Sequence, residues 1–350
     1  MIELEPAQSL TPPRAVGAPY SGTVAWAGLC RELYRYDLRN FRIKKDLADI
    51  GFFSCAVLRS FLFGTRLVSL PFSDEPGLWL YPGVSLTPEE TGALRDSLVS
   101  ALDALAAETG AEYAELRGAD ILFSGGGQDP RFKAAAPYLR LVLDAGRPYE
   151  TLRRGFHSNL IKNLRKADKT VAVAETRDPA ALGAVYGIYL RQMRAFGSPP
   201  LPAAHFERLM REGLGRLFTA SVDKKPAALL FGLTHANVFY ADVNAGLPEF
   251  ESFFPKVRLF DATLRLACAE GLRAYDFMRT RRKSGVYEHK KKWGGGEEPI
   301  NYYFRVYSPT ARPGLDPEEA RFSLPRAILK RAPLRLLAAA GPLIRRHAGK

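Results

Sequence analysis

The residues best suited to chemistry stand close together between positions 271 and 294. Asp276, Arg279 and Lys290 put one carboxylate and two cations into a short segment rich in glycine, arginine and lysine. The planar fork of an arginine binds phosphate or carboxylate, and a carboxylate can accept a proton from an attacking amine. Each residue also has a plainer interpretation. Arg279 could form a surface salt bridge, Asp276 could cap a turn or orient Arg279, and the lysines at 290–292 could be a solvated basic loop.

A helix and a short strand must position this segment. Pro255 opens the helix, its apolar residues recur at helical spacing, and it ends at Gly271. A strand is predicted over 275–277, and a basic loop leads from it to a turn of the form Lys-x-x-Trp-Gly.

Further strands and helices are predicted before that helix. Three consecutive strands with turn-like links indicate an antiparallel meander, at 217–222, 227–233 and 238–243. Preceding them are a helix starting at Pro148, a strand at 171–174, a helix capped by Asp178 and a short helix at 206–210.

The first half of the chain shows a shorter alternation of strands and helices. Strands are predicted at 52–58, 67–72, 113–116 and 138–143. Thr87 as N-cap, Pro88 at the first helical position and Glu90 closing a capping box predict a helix that ends near Gly110. Residues 1–20 are predicted to be irregular, and the glycines at 125–127 a flexible loop.

Four segments in order resemble the FemAB-like acyltransferases, a branch of the GNAT superfamily. Residues 271–294 are similar to the family pattern G-x-x-x-x-D-F-G-R-S followed by Y-x-F-K-x-x-W-G. Residues 64–72 resemble G-x-x-L-V-S-L-P-F, residues 160–168 a basic helix of the type R-x-x-I-R-K-A, and residues 193–200 M-x-x-x-G-x-P. The resemblance implies an α+β fold of tandem GNAT-like domains with mixed, largely antiparallel central sheets.

The resemblance also implies roles for individual residues. Lys290 matches the family lysine and would stabilise the oxyanion that forms when an amine attacks an activated ester or thioester, or hold a phosphate of the acceptor. His289 could act beside it as an acid or base, together with Asp276. The expected substrate-binding residues are Arg279, Tyr287, Trp293, Tyr240, Asp242 and Arg165.

The aromatic and strand residues in that set have structural interpretations too. Tyr287 and Trp293 could close a core, Tyr240 could be a buried aromatic, and Asp242 a turn carboxylate.

Two positions depart from the family. Met278 replaces a glycine that permits positive φ, which predicts a changed backbone path, and His289 replaces an aromatic residue and alters one wall of the site.

The donor is expected to be a co-substrate, with no cofactor bound permanently. GNAT enzymes that use acetyl-CoA carry R/Q-x-x-G-x-G/A before the helix that starts here at Pro255, and its N–H groups cradle the pyrophosphate. Residues 249–254 contain no glycine and two acids, which disfavours the usual CoA site. This agrees with the FemAB-like proteins, many of which use an aminoacyl-tRNA, and the donor is expected to be an aminoacyl-tRNA or acyl-CoA.

Other classes of site find little support. The five histidines show no metal-ligand spacing, so no metal site is expected. Three widely spaced cysteines indicate a reducing compartment rather than a disulfide framework. We expect a cytoplasmic protein, because neither a secretory signal nor a long apolar run is present.

The last thirty residues form a basic tail. From Arg321 on they contribute +8 of the net charge of +13 and contain no acid. Apolar and cationic residues alternate in this tail, which could lie at the inner face of a membrane, contact tRNA, or simply be a docked or disordered end. Pro325, Pro333 and Pro342 are expected to break it into short helices.

Three domains are predicted. They are an N-terminal GNAT-like domain at 1–145, a C-terminal one with the family motifs at 146–310, and the basic amphipathic tail at 311–350. The expected function is transfer of an acyl or aminoacyl group to an amine of a peptidoglycan or exopolysaccharide precursor, which is lipid- or nucleotide-linked. The alternatives are a CoA-dependent N-acetyltransferase and a non-catalytic GNAT pair that binds tRNA or the membrane surface.

Overall fold

Two compact units make up the chain. A computed structural model describes residues 1–8, 18–61, 63–123, 129–314, 319 and 322–349. The first unit consists of Met1–Pro137, Ile300–Asp316 and Arg346–Lys350, and the second of Tyr138–Pro299 and Pro317–Arg345. The domain limits at 145 and 310 stay a prediction about which segments fold on their own.

The secondary structure alternates along the chain. The strands are β1 (Ile2–Ala7), β2 (Asp37–Lys45), β3 (Ala48–Ser60), β4 (Gly64–Val68), β5 (Leu78–Leu80), β6 (Tyr113–Arg117), β7 (Lys133–Asp144), β8 (Val171–Thr176), β9 (Gly215–Val222), β10 (Lys225–His235), β11 (Val238–Gly246), β12 (Ala274–Asp276) and β13 (Gly296–Val306). The helices are α1 (Val24–Gly28), α2 (Pro88–Thr109), α3 (Tyr149–Arg153), α4 (Ser158–Ala167), α5 (Leu182–Phe196), α6 (Ala203–Arg211), α7 (Pro255–Ala269), α8 (Gly285–Lys291), α9 (Ser323–Arg331) and α10 (Leu334–Ala348).

In the first unit the strand order is β1-β2-β3-β4-β6-β13, and β5 pairs with β3. β4 and β6 are parallel, and α2 forms the crossover between them. The predicted capping box of this helix is confirmed, and its leucines, from Leu94 to Leu105, pack into the core. The strand that completes the sheet beside β6 comes from far along the chain, because Tyr302 pairs with Arg117 and Val306 with Tyr113.

In the second unit the strand order is β7-β12-β11-β10-β9-β8. The predicted meander is confirmed, since β9, β10 and β11 pair antiparallel. β11 and β12 are parallel, and α7 connects them while burying Leu259 and Leu264 in the core of this unit. The expected mixture of mainly antiparallel pairing is thus present in both units.

The helix predicted from Pro148 is interrupted, which corrects the expectation of one continuous helix. Its first turn, α3, ends at Arg153, and α4 begins at Ser158. His157 is the new N-cap, its Nδ1 accepting the N–H of Asn159 at 3.2 Å. Its own N–H donates to Lys292 O at 2.9 Å rather than to a carbonyl of α3. The helical hydrogen bonding is therefore interrupted at His157.

The two ends of the chain also differ from expectation. Residues 2–7, predicted as irregular, form β1, because β2 provides a partner strand. In the tail, Pro333 separates α9 from α10 as predicted, but Pro342 lies inside α10 without ending it. The glycine loop at 125–127 lies outside the described residues. Within the described ranges, no helix is both long enough and apolar enough to cross a membrane.

Candidate active site

Strands β11 and β12 bring two predicted residues together. The last pair of their parallel ladder is Tyr240 with Asp276. β11 continues to Gly246, whereas the chain after β12 turns along β7, where the N–H of Phe277 donates to Leu141 O at 3.0 Å. Tyr240 and Asp276 therefore lie at the point where the two parallel strands part.

Asp276 and Lys290 hold the same stretch of backbone. Asp276 is only 3% exposed, and its Oδ1 accepts the N–H of Met278 at 2.6 Å. Lys290 is 7% exposed, and its Nζ donates to the carbonyls of Met278 at 3.0 Å and Arg279 at 3.2 Å. The carboxylate and the ammonium predicted to act on substrate are thus joined through residues 276–279, and both side chains have fixed positions.

Met278 keeps the left-handed backbone of the glycine that it replaces. Its φ is +59°, so the expected change of backbone path is wrong. A side chain in this region costs roughly 1–2 kcal/mol, and such strain persists where the surroundings fix the conformation. Here the bonds from Asp276 and Lys290 fix it.

A helix that the sequence analysis missed carries Lys290 to this position. Residues 285–291 form α8, where a loop and a turn were predicted. Ser284 is its N-cap and accepts the N–H of Tyr287 at 3.1 Å. A capping serine followed by several helix-compatible residues was the available signal, but the neighbouring glycines and lysines pointed to a loop.

Two arginines of the basic loop, residues 277–284, lie against one aromatic ring. The guanidinium carbons of Arg279 and Arg281 are 5.3 and 5.4 Å from the centroid of Tyr138, within the range of cation–π attraction. Arg281 also donates to the Tyr138 hydroxyl at 3.4 Å. Tyr138 thereby holds two cations close together, which suits an anionic ligand such as a phosphate. Tyr138 was not predicted as a site residue, because the sequence pattern around it indicates only a strand.

Arg140 is a second residue that the sequence analysis did not identify. Its Nη1 lies 3.3 Å from Asp276 Oδ2, and its Nε lies 3.3 Å from Glu298 Oε2. Asp276 therefore accepts from both a backbone N–H and a guanidinium. This arrangement is typical of a carboxylate that orients its surroundings, which is the structural interpretation given above for Asp276.

His289 is half-buried in the second unit beside Phe260, at 5.9 Å between ring centroids. Burial, together with the nearby cations Lys256, Lys292 and Lys290, lowers its pKa to about 4. At neutral pH the imidazole is therefore uncharged. Efficient proton transfer needs a pKa near the working pH, so this environment is poorly suited to an acid or base, and that role stays a prediction.

Two predicted aromatic residues lie in the core. Trp293 is fully buried against Phe156, Phe260 and Phe277. Tyr287 is 7% exposed, and its hydroxyl donates to Glu297 Oε1 at 2.5 Å. In this conformation both rings pack rather than line a surface, as the core interpretation expected. Their contact with substrate stays a prediction.

Two other predicted substrate-binding residues lie on β11 and α4. Asp242 is half-buried on β11 and shares the face of Tyr240, because side chains alternate along a strand. Arg165 is exposed in the last turn of α4. Their substrate-binding roles stay predictions.

A cavity of about 850 Å³ lies in the second unit where β11 ends and α7 begins. Four cations, Arg191, Arg194, Lys256 and Lys330, line it together with two acids. Gln192 from α5 holds its strand wall, because its Nε2 donates to Asn244 O at 3.0 Å and its Oε1 accepts the N–H of Gly246 at 2.9 Å. The volume suits a small-molecule ligand.

The cavity adjoins the segment where a CoA-binding loop was sought. Residues 248–253 form a turn of 3-10 helix, and Phe254, with φ +59°, is the N-cap of α7 without a capping side chain. Across the part of the chain that is described, no three His, Cys, Asp or Glu side chains converge as a metal site requires.

Comparisons with known proteins agree with this architecture. Residues 153–291 match the family model described as an acetyltransferase (GNAT) domain, a range that includes Asp276, the basic loop and Lys290. No curated protein sequence matches the chain significantly.

Solved structures share the fold at low sequence identity. The crystal structure of FemX has a TM-score of 0.61 at 13% identity, covering 83% of this chain and 93% of FemX. The structure of L-PGS from Bacillus licheniformis has a TM-score of 0.50 at 10% identity, covering 90% of each chain. The predicted α+β fold of tandem GNAT-like domains is confirmed.

Proposed function

We propose that this chain, whose residues 153–291 match an acetyltransferase (GNAT) domain, is a FemAB-like acyltransferase that transfers an acyl or aminoacyl group to an amine of a cell-envelope precursor. The observation that carries this proposal is the arrangement of Asp276, Met278 and Lys290 beside the basic loop, inside the matched GNAT range. The resemblance of residues 271–294 to the FemAB-like pattern supports an acceptor of the peptidoglycan or exopolysaccharide type.

The proposed chemistry is attack of the acceptor amine on the activated carbonyl of the donor. The C–N bond of an amide forms while the donor's C–O ester bond, or C–S thioester bond, breaks, so that the tRNA hydroxyl or the CoA thiol leaves. Arg279 and Arg281, held by Tyr138, bind a phosphate of a nucleotide- or lipid-linked acceptor. Lys290 contributes positive charge near the carbonyl oxygen that becomes an oxyanion, and it fixes the loop through its two carbonyl bonds. Asp276 orients the loop through Met278 and is the proposed acceptor of the amine proton.

The donor is proposed to be an aminoacyl-tRNA, with acyl-CoA as the alternative. In support of the first, the entrance to α7 carries Phe254 and two acids in place of a glycine-rich loop. In support of the second, the cavity beside it has four cations. A lipid-linked acceptor would place the protein beside a membrane, and the basic tail is the segment proposed to contact it.

The test measures transfer to a UDP-linked muropeptide from charged tRNA and from acetyl-CoA, by mass spectrometry of the product. We expect Lys290→Met, which keeps the aliphatic stem, to lower turnover on the order of 100-fold, as the loss of one oxyanion donor does. Arg279→Ala should weaken acceptor binding, because a charge-assisted bond to phosphate is lost. Lys225→Ala, an exposed lysine at the start of β10, is the control.

Each outcome separates the candidate functions. Transfer from charged tRNA that falls in Lys290→Met supports the proposal, and transfer from acetyl-CoA alone identifies an N-acetyltransferase. Turnover that is unchanged in a folded Lys290→Met protein refutes the role of Lys290. Binding of tRNA or muropeptide without transfer from either donor would identify a non-catalytic GNAT pair.

A further inference from the structure

The tail helices α9 and α10 turn apolar side chains to solvent. Leu324 and Ile328 in α9 are 69% and 60% exposed, and Leu336 and Leu343 in α10 are 63% and 62% exposed. Within each helix the two residues are four or seven positions apart, so they share one face. Single exposed leucines are common, but repeated apolar residues on one face of each of two consecutive helices mark a contact surface.

Cations accompany these apolar residues. Lys330, Arg331 and Arg335 are exposed, and the described residues give them no ion-pair partner. No aspartate or glutamate follows position 319, so nothing within the tail neutralises them. We call the exposed side of α9 and α10, with these four apolar residues and three cations, the tail face.

The opposite side of the tail is anchored to the second unit. Leu337 is 1% exposed. Gly341 lies so close to Pro200 that an added Cβ would be 2.2 Å from its Cδ. Gly197 also approaches the tail closely, because an added Cβ would be 2.7 Å from the backbone carbonyl oxygen of Arg326. The tail is therefore already folded and docked, and the tail face needs no ordering before it binds.

We propose that the tail face docks on an anionic lipid bilayer, its leucines and isoleucine entering the interface and its cations meeting the headgroups. An apolar face flanked by lysine and arginine without acids is the chemistry that binds such a surface. RNA is a poorer match, because single-stranded nucleic acid is bound through aromatic stacking and residues 323–345 contain no aromatic residue. A second copy of the chain would bring like charges together.

This inference deepens the proposed function and rests on it for its purpose, since a lipid-linked acceptor would be presented at the same surface. Vesicle binding and group transfer are separate measurements, so either proposal can fail while the other stands.

The experiment is flotation of the full-length protein with vesicles of phosphatidylcholine alone or mixed with phosphatidylglycerol. Three variants keep helix-compatible side chains. The apolar variant is Leu324→Gln, Ile328→Gln, Leu336→Gln and Leu343→Gln. The charge variant is Lys330→Gln, Arg331→Gln and Arg335→Gln. The control is Leu47→Gln and Val24→Gln, at positions 95% and 69% exposed in the first unit.

We expect binding to the phosphatidylglycerol vesicles only, falling as salt is raised. The charge variant should lose affinity on the order of 100-fold, since each cation near an anionic surface contributes about fivefold. The apolar variant should lose at least about tenfold, and the control should bind like the natural sequence. Unchanged circular dichroism and Tm show that the variants are folded.

Three results would overturn the proposal. The first is no flotation of the natural sequence with either vesicle, and the second is an equal loss in the control. The third is a charge variant that loses binding to tRNA while the apolar variant keeps all vesicle binding, which would make the tail face a nucleic-acid surface.

Discussion

Met278 connects the strain of one residue to the geometry of the candidate site. Its left-handed backbone, with φ +59°, is opposed by its own Cβ. The Asp276 carboxylate and the Lys290 ammonium supply hydrogen bonds to its N–H and C=O. Removing either partner should therefore release the loop as well as a charge, so Lys290→Met has both a chemical and a positional effect.

Replacing Met278 with glycine should stabilise the protein. Met278→Gly removes the Cβ clash, which is worth roughly 1–2 kcal/mol, and this gain exceeds the entropy cost of a flexible glycine. The measurement is the free energy of unfolding in urea, with an expected gain of about 1 kcal/mol. Met278→Ala removes the long side chain but keeps the strain, so it should not stabilise. A destabilised glycine variant would show that the methionine side chain, rather than the strain, dominates.

Among the elements, the docking of α10 depends on the absence of a side chain at Gly341. The helix passes so close to Pro200 that no Cβ fits without displacement. Glycine inside a helix normally costs roughly 0.5–1 kcal/mol relative to alanine. The close packing of Gly341 against Pro200 therefore stabilises the protein by more than the low helix propensity of glycine destabilises it.

Two alanine substitutions separate these effects. Gly187→Ala in α5, where nothing lies within 4 Å of the added Cβ, should stabilise by about 0.5–1 kcal/mol. Gly341→Ala should instead lower Tm and speed tryptic cleavage at Arg331 and Arg335, because α10 is displaced. Equal stabilisation by both substitutions would mean that the tail does not depend on this contact.

Individual helices and strands show which parts of the fold could be predicted from the sequence. The helix α2 was predictable because Thr87, Pro88 and Glu90 form a local cap, and the meander because its turns punctuate three apolar runs. The break between α3 and α4 was not, because a hydrogen bond from His157 to the distant Lys292 carbonyl helps to produce it. Within the candidate site, the motif pointed to Asp276, Arg279 and Lys290, whose roles stay predictions. Tyr138 and Arg140 were not predictable from it, because only the pairing of β7 with β12 brings them there.

The whole molecule should lose stability in mild acid through a buried histidine. His205 is 1% exposed, and burial lowers its pKa to about 3, with a further contribution from Arg345. The unfolded chain, with an ordinary histidine pKa near 6.5, takes up the proton first as pH falls. The stability is therefore complete above about pH 6.5 and is lost towards pH 3, with about 2 kcal/mol gone at pH 5.

The measurement is the difference in Tm between pH 7 and pH 5. His205→Gln should reduce this difference, because the proton-binding group is absent. The control His157→Asn changes an exposed N-cap histidine to a residue that caps equally well, so it should leave the difference unchanged. An identical pH dependence in all three proteins would exclude His205 as the source.

The strand pairing of the first unit has a consequence for synthesis on the ribosome. β6 must wait for β13, whose paired residues begin almost two hundred positions later. Domains generally fold as they emerge, at about 5–20 residues per second, so this edge stays open for roughly ten seconds or more. During that interval β6, which lies next to β4 in an apolar sheet, is an exposed edge of the kind that pairs with other chains. The nascent protein therefore has a period of vulnerability to aggregation that ends only when Tyr302–Val306 have been made and have paired with β6.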